Sequence, residues 1–140
     1  MRLLSELDQH YIRRPRFWLW LTAVAYVALA INFALLTPPW QAPDEPAHYN
    51  YIADIATTGT LPVLRREYYD QKCMEELVSK KFPAAQGIGC LRYESYQPPL
   101  YYLVGALVYS LSGGSLLALR LFGVGLGVGI ILLFYDSLDL

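Results

Sequence analysis

"FWLWLTAVAYVALAINFALL", Phe17 to Leu36, decides the fold: it is a run of twenty residues with no charge. As a helix rising 1.5 Å per residue it spans roughly 30 Å, the thickness of a bilayer's hydrocarbon core. Thr22 and Asn32 are its only clearly polar side chains, and Trp18, Trp20 and Trp40 fall near its two ends, where interfacial aromatic residues concentrate. A cleaved signal peptide would have a shorter apolar region ending in small residues. "LLTPPWQAP" is a poor cleavage site, so a retained transmembrane helix is expected.

The flanks give an orientation. Residues 1–16 hold Arg2, Arg13, Arg14 and Arg16 against Glu6 and Asp8, which predicts a cytoplasmic N-terminus by the positive-inside bias. "RLLSELDQHYI" has the pattern of a short amphipathic helix on the inner leaflet, with Leu3, Leu4, Leu7 and Ile12 inward. His10 is expected there as a solvated residue.

Toward the C-terminus, Leu100 to Leu111 is apolar but too short to cross comfortably, and "SGGS" (Ser112 to Ser115) ends it. Leu116 to Tyr135 is a second full-length apolar run, interrupted only by Arg120. The expected fold class is therefore an all-α integral membrane protein with two full transmembrane helices, 17–36 and 116–135. Residues 100–115 form an interfacial or half-inserted helix and turn, and 136–140 a tail. Use of Tyr93 to Leu111 would make three spans. Arg120, near the start of its helix, should reach the interface or pair with a loop acid.

The expected extracytoplasmic loop, 37–99, is polar and mixed in charge, and it should contain surface helices. Asp44 to Thr58 has the marks of one: Asp44 at the N-cap, Glu45 and Pro46 in the first turn, and Gly59 as the stop. Leu61 to Leu64 should be extended and Gln71 to Lys81 a second helix. Cys73 and Cys90 are the only cysteines. Outside the cytoplasm they could form a disulfide worth roughly 3 kcal/mol by chain entropy, or stay free thiols. Gly123, Gly125, Gly127 and Gly129 make two overlapping small-xxx-small pairs in the second span, which suits helix packing on both faces.

Across its 140 residues the chain is 55% hydrophobic and 16% charged, with a net charge of −1; soluble domains carry about 25% charged residues. There is no basic stripe or zinc-finger spacing, so no nucleic-acid partner is expected. Neither histidine lies in a span and no Cys-x-x-Cys-His motif occurs, so no metal, haem or other cofactor is expected. Glu45 and His48 have the i, i+3 spacing of a metal pair, but a carboxylate-bridged centre needs further Glu-x-x-His copies.

Two longer pieces, "APDEPAHYNYIADIATTGTLPV" and "YESYQPPLYYLVGALVYSLSGGSLLALRLFGVGLG", resemble the N-terminal region of integral-membrane glycosyltransferases of the GT-C type, the group of protein mannosyltransferases and the aminoarabinose lipid-A transferase. The resemblance runs from Phe17 to about Phe134. It implies a first membrane helix, then a long outer loop whose acidic residue serves catalysis. Asp44 or Glu45 matches that carboxylate, with His48 and Gln97 as neighbouring substrate contacts. The implied substrate is a polyprenyl-phosphate sugar, and the carboxylate either takes the acceptor's hydroxyl proton as general base or binds a metal-assisted acceptor site. Without such a role, Asp44 is simply a helix cap favoured by the helix dipole.

Two or three helices are too few to enclose a lipid-linked donor. The leading expectation is thus a small non-catalytic subunit related to that N-terminal module. It would sit in the cell membrane and pack through its helices against other integral-membrane subunits of a larger complex; respiratory and photosynthetic assemblies carry small chains of this kind. The alternative is a truncated or split transferase whose loop carboxylates are catalytic.

Overall fold

The computed structural model describes residues 15–68, 70–83 and 87–137. The amphipathic segment expected in residues 1–14, with His10, lies outside them. The described chain is all-helical. Its α-helices are α1 (Pro15–Leu36), α2 (Glu45–Thr58), α3 (Gln71–Ser79), α4 (Leu100–Ser112) and α5 (Leu116–Ser137), and a single 3-10 turn covers Arg66–Tyr68. The chain divides into two compact units: residues 15–34 with 121–137, and Leu35–Arg120.

The first unit is built from α1 and most of α5. Each helix has 22 residues and is long and apolar enough to cross a membrane. Few of their side chains are buried within the chain; Leu29, Leu36, Ile130 and Leu133 are among the many exposed large ones. Pro15 opens α1, where its missing N–H costs nothing. The amide of Asn32 donates back to the Ala28 carbonyl at 2.8 Å, so α1 satisfies its own polar side chain. Gly127 lies against α1: the Tyr26 hydroxyl occupies the space that a Cβ at 127 would need. Gly123, Gly125 and Gly129 face open space. The overlapping glycine pairs thus divide, one member being used inside the chain and three left accessible.

The second unit is organised by α2 packed on α4. Tyr51, Ile52 and Ile55 from α2 meet Tyr102 and Ala106 from α4, with Leu119 completing the cluster. Gly105 permits the approach, because a Cβ there would stand 2.9 Å from Ile52 Cδ1. The rings of Tyr51 and Tyr102 stack at 3.8 Å between centroids. Asn50 is buried and donates to the carbonyls of Ile88 (2.8 Å) and Leu91 (2.7 Å), which fixes the segment after α3 against α2. Arg92 adds a charged tie to both carboxylate oxygens of Asp54, at 2.8 and 2.6 Å. Cys73 and Cys90 are joined as a disulfide, stapling the start of α3 to that same segment.

The helix ends bear out one reading and correct three. Gly59 stops α2 in the left-handed conformation, its N–H bonded to the Ile55 carbonyl. Asp44, however, is itself left-handed (φ 57°) and its side chain makes no cap bond to the helix; side-chain capping needs an extended backbone at that position. The residue with that geometry is Asp70, whose Oδ1 accepts from the Cys73 N–H at 3.1 Å and caps α3. The helix α3 ends at Ser79 rather than Lys81, because Lys81 and Phe82 turn to positive φ. The helix α4 begins at Leu100, not Tyr93. At 13 residues it is about 20 Å long, short of a bilayer core, so a third full-length span is absent among the described residues.

Candidate functional site

The "PDEPAH" turn separates its two acids. Glu45 is the first residue of α2 and its side chain is only 13% exposed. Its Oε1 accepts from Arg120 Nε at 2.6 Å and its Oε2 from Arg120 Nη2 at 2.8 Å. The Trp40 N–H donates to the same Oε2 at 2.9 Å. Arg120 also donates to the Thr37 carbonyl at 2.7 Å and more weakly to that of Pro38. One guanidinium therefore gathers the chain after α1, the start of α2 and the first turns of α5. Such a two-pronged pair is the strong form of charge-assisted hydrogen bond. It also settles which of its two expected fates Arg120 takes: it pairs with a loop acid.

Asp44 goes the other way. Its left-handed backbone, a conformation that Asp tolerates better than most residues, turns the side chain outward. The carboxylate is exposed, and Oδ1 accepts from the Tyr93 hydroxyl at 2.7 Å. Adjacent carboxylates thus have distinct environments. One is mostly buried and paired with Arg120, and the other is bonded to a phenol and open to solvent.

Behind Glu45 lies a cavity of about 300 Å³ bordered by Glu45, His48, Tyr49, Tyr102, Leu116 and Arg120 among others. His48 Nδ1 and the Tyr102 hydroxyl are 2.8 Å apart, and their rings stack. Burial, followed by the nearby Glu94 carboxylate, pushes the Tyr102 hydroxyl well above the ordinary phenol range, so its proton stays available to His48. Burial raises Tyr49 to about 12, with smaller contributions from its hydrogen bond with Tyr109 and that group's charge. The Tyr49 hydroxyl donates to the Gly114 carbonyl at 2.7 Å, fastening α2 to the turn before α5.

Gln97 does not join the two acids. Its amide donates to Glu94 at 2.8 Å and to the Tyr96 hydroxyl at 3.2 Å, and its carbonyl accepts from Tyr51 at 3.2 Å. It supports the tyrosine stack from outside the cavity lining. Among the described residues no three His, Cys, Asp or Glu side chains cluster closely enough to hold a metal ion. With both Glu45 oxygens engaged, the Glu45–His48 pair is not arranged as a ligand set.

Tyr93, Trp40 and Tyr102 are the participants that sequence reading misses. Tyr93 is one of 12 tyrosines, and nothing local marks it as the partner of Asp44, 49 residues away. Comparison with protein-family models, curated proteins and solved structures returns no match to this chain.

Proposed function

We propose that this chain is a membrane-bound sugar-transferase module in which Asp44 takes the proton from the acceptor hydroxyl. The observation that supports it is the divergence of Asp44 and Glu45. General-base chemistry needs a carboxylate that is oriented yet unneutralised, and a pair of acids held in different environments is a recurring way to divide roles. Glu45 serves as the structural member and Asp44 as the reactive one. In the reaction the acceptor oxygen bonds to the anomeric carbon of a polyprenyl-phosphate sugar. Its proton passes to Asp44, the carbon–oxygen bond to phosphate breaks, and the electron pair leaves with the lipid phosphate. The long apolar helices α1 and α5 hold the module across the membrane, with the loop unit on the outer side. Further helices complete the donor cavity by packing on the chain's exposed apolar and glycine faces.

A second reading, a non-catalytic subunit of a larger membrane complex, draws on the open space beside Gly123, Gly125 and Gly129, which fits partner helices. Asp44→Asn separates the two. In native membranes supplied with labelled polyprenyl-phosphate sugar, the transferase reading expects D44N to lower incorporation by about 10²–10⁴-fold at unchanged protein level. Full incorporation by D44N would discard the catalytic reading in favour of the packing one.

A further inference from the structure

The turn that sends Glu45 to one cavity sends Asp44 to another. This second cleft, of about 510 Å³, is bordered by Trp40, Asp44, Met74, Lys81, Phe82 and Tyr93, among others. Its volume is in the range of small-molecule sites. We infer that it binds the acceptor, and that this acceptor is a saccharide carrying an anionic group; the inference rests on the role proposed for Asp44.

Three observations converge on this cleft. Its walls carry three aromatic side chains, Trp40, Phe82 and Tyr93, beside one exposed carboxylate. That combination suits a sugar, whose C–H faces lie on aromatic rings while its hydroxyls donate to a carboxylate. Lys81 sits at the rim, exposed, and forms no ion pair among the described residues, whereas its neighbour Lys80 is bound to Glu76. A neutral sugar would take only a hydrogen bond from that ammonium, and a cationic one would be repelled by it. A carboxylate or phosphate on the acceptor would be attracted, and the ammonium would offset the repulsion between that anion and Asp44.

The backbone supplies the third observation. The non-glycine residues with positive φ among those described are Trp40 (68°), Asp44 (57°), Lys81 (54°) and Phe82 (53°), and all four border this cleft. Bulky residues such as Trp and Phe adopt this conformation at a cost, so they persist only where the surroundings hold them. Here the Trp40 N–H is held by Glu45, the Phe82 N–H by the Leu77 carbonyl at 2.8 Å and the Lys81 N–H by Val78 at 3.0 Å. The Cys73–Cys90 disulfide ties the α3 wall to the segment that bears Tyr93. Strain gathered on both sides of one cleft, and braced covalently, marks a surface shaped for an occupant.

The test measures binding, without donor or turnover, to the full chain in lipid nanodiscs. Methyl glucuronide and glucose 6-phosphate serve as anionic probes and methyl glucoside as the neutral one. At least one anionic probe should bind about tenfold more tightly than the glucoside; the one preferred identifies carboxylate or phosphate. Lys81→Met should abolish the preference and Lys81→Arg retain it, while Phe82→Ala weakens all three probes. Equal binding of charged and neutral probes, or a preference that survives K81M, overturns the inference. D44N should keep the preference, so a failure of the catalytic reading and a failure of this one give different results.

Discussion

Glu45→Gln should destabilise the loop unit by about 3 kcal/mol. The carboxylate receives Arg120 at 2.6 and 2.8 Å and the Trp40 N–H at 2.9 Å, and hydrogen bonds to charged groups contribute roughly 1.5–3 kcal/mol each. Removing one partner of a fully buried pair costs about 3–5 kcal/mol. Both side chains here are 13% exposed, and glutamine keeps one acceptor oxygen for Trp40, which places the cost near the lower bound. The exposed Lys80–Glu76 pair, at 52% each, provides the contrast: E76Q should cost under about 1 kcal/mol. Thermal unfolding in detergent, followed by helical circular dichroism, measures both. At about 4–8 °C per kcal/mol for a unit of this size, E45Q should lower Tm by roughly 12 °C or more. R120M should lower it as far, and the double variant should fall well short of their sum, with a coupling of about 2 kcal/mol. An E45Q chain that unfolds at the parent temperature, or single effects that simply add, would refute the claim that this pair closes the loop unit.

Gly105→Ala should cost about 1–3 kcal/mol, the range for overpacking, because its Cβ would lie 2.9 and 3.1 Å from Ile52 Cδ1 and Cγ1 and Ile52 is 2% exposed. Ile52→Val, which lacks Cδ1, should recover part of the loss, and a neutral G105A would contradict the close α2–α4 approach. Alkaline pH should also unfold the loop unit. Tyr49 is raised from 10.0 to about 12, so the native state holds this proton more tightly than the unfolded chain. That stability is fully present below pH 10 and is lost as pH rises toward 12. Tyr102 shifts in the same direction. Chemical denaturation across this window should show the decline, and Tyr49→Phe should flatten it; a pH-independent midpoint would count against burial of these phenols.

Apolar length and end signals made the long helices legible. An uncharged run from Phe17 to Leu36 and the Gly59 stop depend only on local chemistry, and the observed helices follow them closely. Arg120 was legible as a cation needing a partner, since a charge in an apolar helix must be paired or reach water. Its choice of Glu45, 75 residues away, depends on chain closure and is invisible to local patterns. Asp44 shows the opposite failure. Its type and position promise a cap, but a cap needs extended φ and ψ, and in the turn between Pro43 and Pro46 Asp44 is left-handed instead. Composition carries no sign of that turn, nor of the Tyr93 hydroxyl that meets it.

The same turn links fold to chemistry. If Asp44 had the extended backbone of an ordinary cap, its carboxylate would face the first N–H groups of α2 and spend its acceptor capacity there. The helix would gain about 1 kcal/mol and lose its outward acid. Instead the first helical bonds are made by the Asp44 carbonyl, which accepts from Ala47 and His48 at 3.0 Å each, while the side chain stays free of the helix. The Glu45–Arg120 pair makes this affordable, because it fixes the start of α2 from the other side. The prediction about Glu45 therefore bears on Asp44 as well. Once the anchor is cut, the Tyr93 hydroxyl and the Ala47 and His48 bonds to the Asp44 carbonyl are left to hold the turn, and Asp44 is freer to take the extended backbone that caps α2. On the transferase reading proposed above, E45Q should accordingly lower sugar transfer even at temperatures where it remains folded.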